Sequence, residues 1–565
     1  MATSFVINKQ FRTITNSIQN ILIRQSYALH KLKANAFPKW HLNLYKNYNI
    51  LLEPVNFNPV NPNRIRELYN GTFALGGKIM KCENRSPFSM KCPTKLFEEE
   101  LYNFNWLNDL ASSNAPIANA FTKSMIENWL DSYKSQQPLT AWRTDIVANR
   151  LTNLLSNCLY LLKGANSNFS KKLLTSISLH YRYTYATAKA LPQNEQKLLS
   201  YLDLYLASLS LAIEDMQKKT IENRLCQSLK AQIFPDGGHI SRNPQIMVDI
   251  ILKLLAIRYS YNYVGKPILQ EVHNAIERMI PALRMFVHKD KSLARFNGVG
   301  NILNEKINTI FTLDETKGKA FSYAPYSGYQ RLEYEDTLLI ADIGKCNDIY
   351  SSSNSAAGCL SFEFSSGKHC FVVNSGINHF AKKQHKYLGK LTVAHSTATI
   401  NNLSSQDFIV KNENVIVGNN LNIEVEQIKG TQQSGFVARH DGYKDRYNVW
   451  HERKILLNCN GNVIQGSDRF IKDKPDFNLL KGSDQVYIRF HIHPDIEIKK
   501  WDMRDIYLCA PDGTTWCFTC DKVAINIEES IFFAHKDGVK KTQQLVLTFF
   551  PSIWPKINWM FQKIN

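Results

Sequence analysis

His239, Arg242 and Asn243 stand within five residues of one another, in the segment Gln232-Ile233-Phe234-Pro235-Asp236-Gly237-Gly238-His239-Ile240-Ser241-Arg242-Asn243-Pro244. An imidazole can exchange a proton near neutral pH. A guanidinium and an amide can hold an anion beside it. The two glycines let the backbone turn sharply and approach a ligand closely. Pro244 suits the first turn of a following helix, whose N-terminus favours negative charge. The same residues also read as a capped turn between two helices, with Asn243 as the N-cap.

Other residue groups invite chemistry with less specificity. Trp142-Arg143 and Arg150 open a strongly helical stretch. Aromatic and arginine side chains stack on sugar rings and pair with carboxylates, and a core tryptophan with a buried arginine is the alternative. His440, His451, His491 and His493 are candidate metal ligands, with His491 and His493 two apart on one strand. No carboxylate stands at a recognisable ligand spacing from them. Cys517 and Cys520 form the one close cysteine pair, and no second pair completes a zinc ribbon. Eleven cysteines, an odd number in scattered positions, suit a reducing compartment.

The elements that must carry these residues change character along the chain. Residues 1–95 read as an irregular lead-in, because Pro54, Pro59 and Pro62 with interleaved asparagines forbid a long helix. Residues 96–312 read as helices. Leu151, Leu154, Leu155, Cys158 and Leu159 repeat at three and four, as do Leu199, Leu202, Leu206, Leu209 and Ile213, and then Ile246, Ile250, Leu254 and Leu255. Short connections suggest stacked antiparallel helices. Residues 313–565 alternate as strands between Gly, Asn and Asp turns. Cys359–Phe364 and Phe371–Asn374 read as a hairpin, and Val486 to Ile492 as a strand with Val486, Ile488, Phe490 and Ile492 on one face. The expected fold is multidomain, helices first and then a large antiparallel β-sandwich.

The 565 residues carry 68 basic and 49 acidic side chains, a net charge of +19. Residues 1–310 hold +17 of it, and the first 50 residues have seven basic side chains and no acidic one. That localisation suggests a polyanionic partner. No apolar run reaches the ~20 residues of a membrane span. The start reads as a surface helix, without the apolar core and cleavage site of an export signal.

The Asp236-Gly237-Gly238-His239 motif resembles that of the heparinase II/III-like polysaccharide lyases. Further segments agree in order: Ser327-Gly328-Tyr329, Ala394-His395-Ser396-Thr397, Arg439-His440-Asp441-Gly442-Tyr443, and Arg489-Phe490-His491-Ile492-His493-Pro494. The resemblance spans residues 95–565 and is closest to uncharacterised bacterial members. It implies an N-terminal incomplete α/α toroid followed by a C-terminal antiparallel β-sandwich.

The implied activity is β-elimination on a uronic-acid-containing acidic polysaccharide. A cation or amide stabilises the charge that develops on the uronate, a base removes its C5 proton, and an acid protonates the departing oxygen. By resemblance His395 is the proton-transfer residue and His239 the second candidate. Arg242 or Asn243 would neutralise the carboxylate, and Tyr329 would touch substrate. Trp142 and Arg150 are further candidate groove residues. Two family features differ here. The Asn-His that precedes an Ala-Lys-Ala-Leu run is replaced by Arg182-Tyr183 ahead of Ala188-Lys189-Ala190-Leu191, and a catalytic tyrosine expected after the Asp-Gly-Gly-His motif is missing. Arg182 and Tyr183 are therefore the candidate replacements. The alternative is a non-catalytic acidic-glycan-binding or envelope-glycan assembly protein on the same fold.

The resemblance requires no cofactor for the elimination. It leaves a structural zinc in the β-domain as a candidate, with His440, His491 and His493 as candidate ligands. The expected partner is an acidic polysaccharide. Nucleic acid is not expected, since no helix-turn-helix, zinc finger or RNP-like motif accompanies the charge. No residue pattern specifies an oligomeric state. The family implies the cell envelope, whereas the missing export signal implies the cytoplasm.

Overall fold

The computed structural model describes residues 47–564, apart from 84, 114, 133–137, 346–354, 382, 412–413, 418–420, 474–479 and 503–504. The expectations for the basic start of the chain, residues 1–46, lie outside the described residues. Contacts divide the chain into two compact units, one of residues 1–231 and 252–272, the other of 232–251 and 273–565.

The first unit is mainly helical. Its lead-in, described from residue 47, carries a short helix, Pro62–Tyr69, and a hairpin of Thr72–Leu75 with Lys78–Lys81. Asn61 caps that helix by accepting from the Asn63 N–H, and Pro62 occupies its first position, so the proline that bars a long helix starts a short one. Helix Thr144–Leu155 packs on Ser167–Thr187 and Glu195–Ser210. Leu151, Leu154, Leu155 and Cys158 are buried as their spacing predicts, but Leu159 is 65% exposed. The helix stops at Leu155 and a new one starts at Cys158, and the break shifts the phase of the apolar stripe. Helix Glu195–Ser210 is buried on every side along its second half, which explains a pattern of leucines without a polar face.

The second unit is an antiparallel sandwich with helical segments. Among the described residues one sheet has eight strands and the other nine. Their inner faces share one core in which Phe362, Phe364, Phe490, Trp516, Trp559 and Phe561 interlock. Burying each ring contributes on the order of 1.5–3 kcal/mol. The hairpin expected near residue 367 joins Phe362–Ser366 to His369–Val373. In strand Val486–Ile492 the four expected residues face the core. Arg489 and His491, on the other face, are buried as well. The Arg489 Nη1 donates to Thr399 Oγ1 at 2.8 Å, and the His491 ring meets Ser530 Oγ at 2.8 Å and the Val393 carbonyl at 3.0 Å. No described helix is long and apolar enough to cross a membrane.

Candidate functional site

The Asp-Gly-Gly-His segment folds as a tight turn after helix Asp215–Gln232. The Gly237 N–H donates to the Phe234 carbonyl at 2.9 Å, and the Phe234 N–H to the Gly238 carbonyl at 2.8 Å. Asp236 clamps the turn to a distant loop. Its Oδ2 accepts from the N–H groups of Tyr326 and Ser327 at 2.9 and 2.8 Å and from the Ser327 hydroxyl at 3.1 Å. The approach explains both glycines. A Cβ on Gly237, which has φ +80°, would lie 2.1 Å from the Arg278 carbonyl oxygen, and one on Gly238 would lie 2.5 Å from Ser327 Cβ. His239 is fully buried. Its Nε2 donates to Gln232 Oε1 at 2.9 Å, while Nδ1 accepts from the Ser241 hydroxyl at 2.7 Å and from the Ser241 N–H at 3.1 Å. Burial lowers its pKa to about 3, so the ring is neutral and both nitrogens are engaged.

Arg242 closes the same assembly. Its Nε donates to the Ser327 carbonyl at 2.7 Å, and its terminal nitrogens donate to the carbonyls of Gly344 and Gly328 at 3.1 Å each and pair with Asp342. The guanidinium lies 4.7 Å from the centre of the Tyr329 ring. The Tyr329 hydroxyl donates to the Arg242 carbonyl at 2.6 Å and accepts from Asn297 Nδ2 at 2.7 Å. Asn243 caps helix Pro244–Val264, its Oδ1 accepting from the Gln245 N–H at 2.8 Å. The Asp-Gly-Gly-His and Ser-Gly-Tyr motifs are thus brought together as one buried polar cluster. Each of Arg242, Asn243 and Tyr329 is at most 5% exposed. The substrate-contact role expected for them has no exposed side chain behind it.

His395 differs from His239 in one respect. It ends the short helical turn Thr392–Ala394, and its Nδ1 donates to the Leu391 carbonyl at 2.8 Å. In a neutral ring Nε2 is then the accepting nitrogen. Among the described residues Nε2 has no hydrogen-bond partner. Burial lowers the pKa of His395, so the ring is unprotonated near neutral pH. Gly358 gives the imidazole room, since a Cβ there would lie 2.6 Å from its Cδ2.

The residues that support His395 carry no motif. Asn374 Oδ1 accepts from the Ser396 N–H at 3.0 Å, and the Asn374 N–H donates to Glu363 Oε1 at 2.9 Å. Asn374 Nδ2 is buried and makes no hydrogen bond to a described residue. Burial would raise the Glu363 carboxyl, but Arg295 and His288 hold it below the usual range. The one signal available in the sequence is a carboxylate inside an apolar strand, Phe362-Glu363-Phe364, which in a core demands paired partners.

Within the first unit, Arg150 has no exposed surface. Its Nε donates to His180 Nε2 at 2.9 Å, its two terminal nitrogens donate to the carbonyls of Tyr102 and Ala141, and it lies 5.8 Å from the Trp142 ring. Tyr183 is equally buried, and its hydroxyl donates to the Trp142 carbonyl at 2.5 Å. Trp142, Arg150 and Tyr183 thus form part of the helical core, where the sequence suggested groove and catalytic roles. Arg182 is partly exposed, with its guanidinium 4.8 Å from the Tyr48 ring.

The β-domain histidines serve hydrogen bonds. His440 Nε2 lies 3.3 Å from His451 Nδ1, and His451 Nε2 donates to Asp468 Oδ1 at 2.7 Å. Arg453 also holds Asp468. His493 packs on the Phe532 ring. Among the described residues no group of three or more His, Cys, Asp or Glu side chains is arranged to hold a metal ion.

Residues 316–560 match the family described as heparinase II/III-like, C-terminal. The chain is 24% identical over 519 residues to the FtsZ-localized protein C of Caulobacter vibrioides, covering 89% of this chain and 88% of that one. It is similar in fold to heparinase III, with a TM-score of 0.69 at 13% identity, covering 96% of this chain and 91% of that structure. It is also similar to the heparan sulfate lyase HepC of Pedobacter heparinus, with a TM-score of 0.56 at 15% identity over 95% and 87% of the two chains. At these identities the likeness is one of fold: a heparinase II/III-like arrangement of helices followed by a β-sandwich.

Proposed function

We propose that the protein is a polysaccharide lyase that cleaves a uronic-acid-containing acidic polysaccharide by β-elimination, with His395 as the proton-transfer residue. The observation that carries this reading is the anchored His395 ring. Its Nδ1–H is committed to the Leu391 carbonyl at 2.8 Å, which orients Nε2 as acceptor. A neutral imidazole held in one tautomer can take a proton from carbon once the adjacent carboxylate is neutralised. Asn374 acts as a positioning residue, holding the N–H of Ser396, the residue that follows His395. The test is incubation with a panel of uronate polymers while the ultraviolet absorbance of the unsaturated product is followed. Absorbance that rises with wild type and stays flat with His395→Ala is the expected result. Folded protein that gives no signal on any polymer overturns the reading.

A second reading is favoured by the engagement of His239, Arg242 and Tyr329 in buried hydrogen bonds. It makes the protein a non-catalytic acidic-glycan-binding or envelope-glycan assembly protein. The name of the Caulobacter relative supports co-localisation with FtsZ for such a role. Glycan binding without product, unaffected by His395→Ala, would select it.

A further inference from the structure

The outer face of the eight-stranded sheet carries a groove of about 430 Å³. It crosses strands Val449–Asn458, Val463–Lys472, Lys556–Lys563 and Thr515–Cys520, which are neighbours in the sheet. Pairing sets the lining residues in register: Lys454 opposite Ser467, Leu456 opposite Gln465, Ser467 opposite Asn558, and Met560 opposite both Gln465 and Thr519. The residues between them, Ile455, Ile464, Phe518, Trp559 and Phe561, belong to the core, so the lining side chains face outward. Four strands at ~4.8 Å spacing make the groove ~14 Å across.

The chemistry of this lining is specific. Met560, partly exposed between Gln465 and Thr519, offers an apolar surface that suits the C–H face of a sugar ring, and Leu456, on the far side of Gln465, is buried. Gln465, Ser467 and Thr519 offer amide and hydroxyl groups, and Lys454 and Lys556 offer two ammonium groups. Among the described residues these five polar side chains make no hydrogen bond or ion pair, so their capacity is unspent. The one carboxylate at the rim, Asp521, is already taken, accepting from the Asn558 Nδ2 at 2.7 Å and from its N–H at 3.1 Å. The groove is separate from His395. Arg453 points inward from the strand whose Lys454 points outward, and its Nη1 donates to the Ser396 carbonyl at 2.8 Å. His395 and the groove therefore lie on opposite sides of that strand.

We propose that this outer groove binds a short segment of an anionic polysaccharide, as a non-catalytic site that holds the chain. The ligand class rests on the acidic-glycan reading above; the location does not. An apolar side chain interleaved with neutral hydrogen-bonding groups, together with two cations, supplies the features that recognise a sugar ring, its hydroxyls and its carboxylate or sulfate.

The experiment is affinity electrophoresis of the full chain through gels containing heparin or polygalacturonate, with lyase activity measured in parallel. Wild type and His395→Ala should be retained equally. The double variant Lys454→Ala/Lys556→Ala should be retained at least tenfold more weakly, with an unchanged melting curve. The surface variant Gln465→Ala, which removes no charge, should weaken retention about threefold. Retention of the double variant equal to wild type overturns the inference even if the protein cleaves glycan. Absence of retention for wild type in both gels overturns it too, as does retention by duplex DNA alone. Retention lost in the double variant without any cleavage supports the groove while removing the lyase reading.

Discussion

Arg242 and Asp342 form an ion pair in which the two side chains are 5% and 3% exposed. The pair stands where the sequence places a candidate substrate-binding arginine. Three carbonyls share the guanidinium, so both charge and geometry are satisfied within the fold. Removing one partner strands the other in a medium that cannot solvate it. Arg242→Ala should therefore cost on the order of 3–5 kcal/mol of stability. A loss of urea unfolding free energy below about 1 kcal/mol would show that the arginine is instead available to a ligand.

The Asp-Gly-Gly turn makes a steric prediction. Gly237→Ala would place a Cβ 2.1 Å from a backbone carbonyl oxygen at a left-handed φ, and neither can yield cheaply. Its loss should exceed ~2 kcal/mol. A thermal melt that matches wild type would mean that the turn relaxes.

His239 and His395 should separate in a paired substitution. His239→Gln removes a ring hydrogen-bonded at both nitrogens and should lower the melting temperature. His395→Gln, which gives up one ring hydrogen bond, should lower the melting temperature less and reduce kcat of the proposed elimination by at least ~100-fold, the scale of general acid–base catalysis. Equal losses of activity in two equally stable variants would return His239 to the chemistry.

Acid should unfold the protein at an unusually mild pH. Burial lowers His239 and His491 to about 3, and lowers His180, His440 and His451 as well. Above pH 6.5 these rings are neutral folded or unfolded and the full stability is present. Between pH 6.5 and 3 the unfolded chain binds protons that the folded chain refuses, so stability falls with pH. His239 and His491 each contribute about 1.4 kcal/mol per pH unit there, and His180, His440 and His451 act in the same direction. The urea midpoint measured from pH 8 to pH 4 should be flat above 6.5 and fall steeply below it.

The architecture was legible because its signals are local. Leucines at three and four, and the alternation from Val486 to Ile492, report burial through the period of one element. The break between Leu155 and Cys158 was not legible, since no proline or glycine marks it and Leu159 continues the apparent stripe. The motifs were visible while their roles were not. Asp236 reads as a turn residue, yet its carboxylate is spent on Ser327, 91 residues away. Arg150 reads as a groove cation because its carbonyl partners, Tyr102 and Ala141, leave no mark in composition. Asn374 and Glu363 support His395 only through strand pairing, which single-sequence periodicity does not report.

The division of the chain also sets an order of events during synthesis. Residues 232–251 belong with the strands that follow, and Arg242 must wait for Asp342, 100 residues later. At ~5–20 residues per second that wait is about 5–20 s. Throughout it the nascent chain holds an arginine, a histidine and a glycine turn shaped for a surface that does not yet exist. The helices of the first unit can close once residue 272 has emerged, whereas the second unit cannot close until its last strand, Lys556–Lys563, takes its place between two others. Ribosome-bound intermediates of this protein should thus pair a finished helical unit with an open, unpaired sandwich, and chaperone demand should concentrate on the second half of translation.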